Sequence, residues 1–351
     1  MPEQDIYDVT IIGGGPAGLY SAFYSGLRGM KTKIIEYQPR LGGKIHVYPE
    51  KLIWDIGGLT PITGDQLIKQ LEQQALTFNP DVVLNEKIER IQKNNEGIFE
   101  LFTASKTAHF SKTVIAAVGS GILNPQKLPI EGAERFEVTN LHYVVQSIKK
   151  FKDKTVVISG GGNSAVDWAN ELTAVAEKVY VVYRGNALKG HEAQVEQLMN
   201  SSAICLMNES ITKLIASSNG EKISQIELTN SITMDKTILS ADEVVINHGF
   251  DRDSTLLQNS SSLDIKLEDD FYVASRPSGE SSVPGFFAAG DVLKHDGKLH
   301  LIAGAFQDAA NAVNRAKQFI DPESRSSAMV SSHNDVFKEK NKKIMQKLIQ
   351  Q

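Results

Sequence analysis

One eleven-residue statement occurs twice in this chain. Asp8-Val-Thr-Ile-Ile-Gly-Gly-Gly-Pro-Ala-Gly18 is answered by Thr155-Val-Val-Ile-Ser-Gly-Gly-Gly-Asn-Ser-Ala165, with the first glycines, Gly13 and Gly160, 147 residues apart. Each copy reads as a β-branched strand, a glycine turn and the start of a helix. That is the G-x-G-x-x-G/A arrangement of a dinucleotide-binding βαβ unit. In the first copy Gly13 serves the tight turn, Gly15 the approach of a pyrophosphate to the backbone, and Gly18 the packing of helix on strand. In the second copy Gly160, Gly162 and Ala165 take those places, with Asn163 and Ser164 opening the helix. The free N–H groups and positive dipole end of each helix then face phosphate. Two copies with the same flanks a domain apart imply an internal duplication.

The strands that follow differ in their last residue. Lys33-Ile-Ile-Glu36 ends in an acid, suited to bidentate hydrogen bonding with a free ribose. Val179-Tyr-Val-Val-Tyr-Arg184 ends in a guanidinium, which can hold a 2′-phosphate where a carboxylate would repel it. Lys189 and His191 follow closely and complete a candidate anion pocket. The first site therefore asks for an adenine ribose with a free 2′-hydroxyl, the second for NADP.

Around these units the chain reads as ordinary globular sequence. A helix is predicted over 64–76, and strand-like runs at 82–84, 98–103 and 113–118 suggest an antiparallel meander. The irregular 123–129 stretch and the Ser/Pro/Gly-rich 275–284 stretch read as the two crossings between domains. Between them, 204–243 shows short alternating strands. Phe286-Phe-Ala-Ala-Gly-Asp291 is a strand of small residues ending at one acid, suited to the ribityl or pyrophosphate side of a flavin, and a helix is predicted over 303–319. Beyond Pro322 comes a serine-rich stretch expected to be extended or mobile. A capping-box pattern at Ser332-x-x-Asp335 then precedes a lysine-rich helix with Phe337, Ile344 and Leu348 on one face. Its lysines read as a solvated face, or as a surface for an acidic protein.

Composition excludes several classes. The net charge of −5 offers no basic footprint for nucleic acid, and no apolar run approaches the ~20 residues of a membrane span. A single cysteine, Cys205, rules out an intrachain disulfide, a C-x-x-C pair and a cysteine zinc cluster, and its apolar surroundings read as a buried thiol. No metal site is expected. The polar N-terminus resembles neither a signal nor a transit peptide, so a cytoplasmic protein is expected.

Together, GGGPAGLYSAFY, the Glu36 strand end, GGGNSAVDWA, the Arg184 strand end and FFAAGD resemble the two-dinucleotide-binding-domain flavoproteins. Within them, the chain resembles the thioredoxin-reductase-like ferredoxin–NADP⁺ reductases over essentially its whole length. That resemblance implies an α/β fold of two Rossmann-like, three-layer ββα domains, the second inserted in the first, plus a C-terminal tail helix. It divides the chain into a split FAD domain (1–120 and 276–321), an NADPH domain (121–275) and an extension (322–351) that covers the flavin of the partner subunit in a homodimer. It assigns Glu36 to the FAD ribose, Ile88 to the adenine, Lys44, Tyr48 and Leu123 to the flavin surroundings with Tyr48 stacked on one ring face, and Asp291 to the ribityl side. Ser332 and His333 would come from the partner's tail, His333 covering the other ring face. Thioredoxin reductase itself carries a cysteine pair just before its second glycine motif; here Thr139-Asn-Leu-His-Tyr-Val-Val-Gln146 has none. Electrons must then leave the flavin directly, for ferredoxin or flavodoxin. An NADPH diaphorase or oxidase acting on quinones or ferric chelates shares every motif. A flavin-binding sensor would need no Arg184.

Overall fold

The computed structural model describes residues 5–121, 124–251, 253 and 255–349. They form two compact units: Met1–His46 with Lys51–Ile122 and Arg252–Gln351, and Val47–Glu50 with Leu123–Asp251.

In the first unit, five parallel strands lie in the order Asp81–Val83, Thr32–Ile35, Ile6–Ile12, Ala108–Ala116, Phe286–Ala288. Val9, Ile11, Ile34 and Ile115 are wholly buried, as strands covered on both faces require. The strand Ala108–Ala116 divides its far edge. Its first half pairs antiparallel with Phe99–Thr103, which pairs in turn with Ile88–Lys93, while its last residues, from Val114, pair with Phe286–Ala288. A core of Ile12, Ile35, Ile91, Phe99, Leu101 and Phe286 fills the space beneath that meander.

The other face carries helices Pro16–Leu27 and Ile302–Ile320, which pack against each other. Their contact is made of small side chains. Ala17, Gly18, Ser21, Ala22 and Ser25 are buried on one, Gly304, Ala305, Ala309, Ala312 and Ala316 on the other. A stripe of Leu19, Phe23 and Leu27 is the sequence expectation; Leu19 is fully buried, but Phe23 and Leu27 only in part. The helix Gly64–Ala75 begins with a true capping box between Thr63 and Gln66.

The second unit repeats the plan. Its parallel strands run in the order Ile204–Met207, Lys178–Tyr183, Thr155–Ser159, Glu243–Ile246, Leu141–His142. Alternate residues point to opposite layers. Val157, Val182 and Val244 meet the antiparallel sheet of Glu209–Ala216, Ile223–Asn230 and Lys236–Ser240, while Val156, Ile158 and Val181 meet Val166, Trp168 and Leu172 of the helix Asn163–Leu172. The two fingerprint turns even share their ladder bonds. Gly13 donates to Ile35 and Ala117 to Ile12, as Gly160 donates to Val182 and Asn247 to Ser159, all at 2.8–2.9 Å. The long segment of this unit begins and ends in one antiparallel ribbon, Asn124–Pro125 with Phe250–Asp251, and the short segment Val47–Glu50 joins it from earlier in the chain.

Two expectations need correction. The return crossing lies at 251/252, not after 275. Leu256, Leu257 and Leu263 are buried in the first unit's core, Ser260 Oγ accepts from Ile91 N at 2.9 Å, and Lys87 pairs with Asp253 at 3.1 Å. The Ser/Pro/Gly stretch is a hydrogen-bonded turn, with Ser275 Oγ donating to Glu280 O and Ser281 Oγ to Phe286 O. In the tail, the turn before the helix Lys338–Ile349 is capped by Asn334, whose side chain accepts from Val336 N at 3.1 Å; the Ser332 and Leu348 side chains lie outside the described residues. The serine-rich stretch has no regular structure up to Val330, then forms the short helix Ser331–His333, and it is tied down. Arg28 donates to Arg325 O at 2.6 Å, Ala328 N donates to the Tyr24 hydroxyl at 3.4 Å, and Phe337 packs on Phe78 with ring centroids 5.5 Å apart.

Two polar groups deep in the second unit generate tests. Asn140, 2 % exposed, donates to Ile223 O and Asp242 O and accepts from Ile223 N. Asn140→Ala strands three backbone groups and is expected to cost about 3 kcal/mol, read as a lower denaturant midpoint with an unchanged m value. Glu243 is likewise buried, between His142 Nε2 at 2.6 Å and Lys154 Nζ at 2.5 Å. Burial pushes its carboxyl up, but the His142 and Lys154 hydrogen bonds outweigh this and hold it below the ordinary value. A carboxyl lowered on folding stabilises fully above its unfolded pKa, and that contribution is lost as pH falls through the folded one. Denaturant midpoints of the wild type should therefore fall more steeply than those of Glu243→Gln on acidification below about pH 4.5.

Candidate cofactor sites

The first site grows from the turn after Ile6–Ile12. Gly13 has φ +106°, and a Cβ there would lie 2.4 Å from Ala117 O, so no side chain fits. Gly15 lies open: a Cβ would meet only Gly43 Cα, at 3.7 Å. Gly42 N donates to Gly14 O at 2.8 Å, drawing the short helix Gly43–Val47 up to the turn. Two bare backbones thus face each other beside a helix N-terminus whose N-cap residue, Gly15, offers no side-chain cap. The donors left free are those an anion takes, so the cradle fits a dinucleotide diphosphate. Gly18 completes the turn, since a Cβ on it would strike Gly13 O.

Glu36 is 8 % exposed and already fixed: Oε2 accepts from Gly14 N at 2.5 Å and Oε1 from Gln38 N at 2.7 Å. Each oxygen keeps acceptor capacity, so the carboxylate can brace the turn and still receive a ribose hydroxyl. Lys44 is exposed on the 43–47 helix. The Ile88 side chain is 4 % exposed and belongs to the core beneath the meander. Asp291 is half exposed just past Phe286–Ala288, with Oδ1 4.0 Å from His300 Nδ1. Leu123 lies outside the described residues. Tyr48 belongs to the segment Val47–Glu50 grouped with the second unit, where it packs partly buried against the cluster of Val156, Val166 and Leu172. His333 is exposed in the short helix Ser331–His333.

The second site repeats the geometry and changes the charge. A Cβ on Gly160 would lie 2.5 Å from Asn247 O, whereas nothing stands within 4 Å of one on Gly162. Lys189 N donates to Gly161 O at 2.6 Å and His191 N to Asn163 Oδ1 at 2.9 Å. Backbone bonds thus gather Lys189 and His191 at the glycine turn. Ser164 is exposed at the helix start, and Arg184 is exposed directly after Lys178–Tyr183. Four donor-rich groups and an uncapped helix N-terminus suit a nucleotide that carries extra phosphate.

Sequence reasoning did not single out His248. It follows the strand Glu243–Ile246, and its Nε2 lies 2.9 Å from Ser159 Oγ, the residue before Gly160. Burial, and after it the Arg184 guanidinium, hold the imidazole below its ordinary pKa. Its place at the carboxyl end of a strand beside the fingerprint was the available signal. Among the described residues no cluster of histidine, cysteine, aspartate or glutamate is arranged to hold a metal, and no helix is long and apolar enough to cross a membrane. Cys205 is half-buried on Ile204–Met207, and burial pushes its thiol up.

A family profile of pyridine nucleotide-disulphide oxidoreductases matches residues 7–316. Ferredoxin–NADP reductase 1 of Bacillus mycoides is 67 % identical over 99 % of this chain and all of its own length. Ferredoxin–NADP reductase 1 of Bacillus licheniformis is 66 % identical over 99 % of each chain, and ferredoxin–NADP reductase 2 of Exiguobacterium sibiricum is 64 % identical over 100 % of this chain and 99 % of its own. Among solved structures, thioredoxin reductases of Lactococcus lactis (TM-score 0.74) and T. acidophilum (0.75) share the fold at 24 % identity, over 90 % and 92 % of this chain and 99 % and 100 % of theirs. The chain belongs to the pyridine nucleotide-disulphide oxidoreductases and, among them, to the ferredoxin–NADP reductases.

Proposed function

We propose that this chain is an NADPH-dependent FAD oxidoreductase that carries electrons between NADPH and ferredoxin or flavodoxin, acting as a homodimer in the cytoplasm. The observation that carries the reading is the contrast between its two duplicated sites. Glu36 closes the first strand pair with a carboxylate; Arg184 closes the second with a guanidinium, and backbone bonds hold Lys189 and His191 at the same unit's glycine turn. One site accepts a plain ribose and the other a phosphorylated one.

The residues then have distinct tasks. Gly13, Gly15 and Gly18 admit the FAD diphosphate, Glu36 holds its ribose, and Asp291 fixes the ribityl side. Lys44, Tyr48, Ile88 and Leu123 surround adenine and flavin. Gly160, Gly162, Asn163 and Ser164 hold the NADPH diphosphate, while Arg184, Lys189 and His191 select the 2′-phosphate. FAD, when bound, accepts a hydride as two electrons and gives electrons up singly, so the protein needs position and electrostatics, and no acid or base is assigned. Disulfide exchange is excluded by composition: Cys205 is the only thiol in a family whose name rests on a pair. Ser332 and His333 serve the flavin of the partner subunit, His333 as a ring cover that moves aside during turnover. The relatives named ferredoxin–NADP reductase support ferredoxin as the acceptor over quinones or ferric chelates.

Arg184→Ala should raise the KM for NADPH about 10- to 100-fold, the worth of a charge-assisted contact, with little change for NADH. An equal effect on both nucleotides would show that Arg184 does not read the phosphate. Anaerobic mixing of the yellow holoenzyme with NADPH should bleach the flavin quickly and reduce added ferredoxin, with NADH lagging. Bleaching without ferredoxin reduction would move the function to another acceptor.

A further inference from the structure

Directly behind Gly290–Asp291 lies a buried charged group that the reaction as described does not use. The Lys298 side chain is 4 % exposed and Asp308, on the helix Ile302–Ile320, is 7 % exposed; Nζ donates to Oδ2 at 2.5 Å. The same Oδ2 accepts from Gly290 N at 3.2 Å. His295, 8 % exposed, stands with Nε2 3.8 Å from Asp308 Oδ1, and that nitrogen has no hydrogen-bond partner among the described residues.

A buried ion pair contributes little to stability, because taking both charges out of water offsets their attraction. The other buried residues of the helix include Ala305, Ala309 and Ala312, a face that apolar residues would fill as well. What the pair does hold is one peptide. Gly290 has φ +81°, and a Cβ on it would lie 2.9 Å from that of Ala17, in the first turn of the helix Pro16–Leu27. The Asp308 carboxylate therefore pins the backbone at the point where it turns from Phe286–Ala288 towards that helix, and the next residue is Asp291.

We infer that Lys298 and Asp308 are positioning residues for FAD, acting through the Gly290 N–H to present Asp291. The inference rests on the first site being the FAD site. Asp308 supplies the acceptor, and Lys298 is the buried cation that balances its charge and aims it.

The test compares two charge-free pairs in the full-length chain. Lys298→Met with Asp308→Asn keeps an acceptor for Gly290 N, whereas Lys298→Met with Asp308→Val removes it. Apoprotein is titrated with FAD, followed by flavin fluorescence and the visible circular dichroism of the bound flavin, and apoprotein thermal unfolding reports the fold alone. The expected result is similar apoprotein melting for both pairs, FAD affinity within about threefold of wild type for the asparagine pair, and affinity about 10- to 100-fold weaker for the valine pair. Should the valine pair fail to fold, Asp308→Ala in the Lys298→Met background takes its place. Wild-type affinity in both pairs, or equal loss in both, overturns the inference. A wild-type apoprotein that takes up no FAD brings down the cofactor reading and this inference together.

Discussion

Everything in this molecule hangs on a carbonyl pressed against a bare α-carbon. Ala117 O and Asn247 O occupy the space a side chain would need at Gly13 and Gly160. The contact is sterically absolute, and it is made by the residue following the neighbouring parallel strand. It closes the strand end tightly enough for the next helix to start at once over the sheet. From that turn follow the uncapped helix N-terminus and the place of the acid or guanidinium one strand over.

Strong local constraints were the legible ones. The fingerprints, the Glu36 and Arg184 strand ends and the helix 64–75 each carry their signal within a few adjacent residues. The strand Ile88–Lys93 gave little, because Glu89 and Arg90 side by side break the alternation that marks a half-buried strand. The return crossing was misplaced for a related reason. Serine, proline and glycine mark turns as readily as linkers, and only Leu256, Leu257 and Ser260 meeting Ile91 and its neighbours decide between them. Lys189 and His191 stood out only by their closeness in sequence to Arg184, and backbone bonds hold both at the glycine turn. The Lys298–Asp308 pair joins residues ten apart around a helix start, with no motif to announce it.

The duplication also shows how one plan carries two chemistries. Both units keep the five-strand order, the antiparallel layer and the ladder bonds at the turn. They differ in how the outermost parallel strand is supplied: Phe286–Ala288 comes last in the first unit, Leu141–His142 first in the second. Fold is held by strand order and a handful of close approaches, and the two strand ends beside the turns carry opposite charge, Glu36 in one unit and Arg184 in the other. An acid can become a base at a strand end without disturbing a single ladder bond.

The paired ribbon Asn124–Pro125 with Phe250–Asp251 has a consequence for synthesis on the ribosome. Once released, the intervening segment joins its two ends and holds every strand of its own sheet. The flanking unit must wait for its last strand. Its strand Ala108–Ala116 leaves the exit tunnel with the edge from Val114 onward bare, and the cover for that edge, Phe286–Ala288, is translated only after the whole insertion. The nascent chain therefore spends many seconds with an open strand edge, and the first unit closes late, around a module already finished.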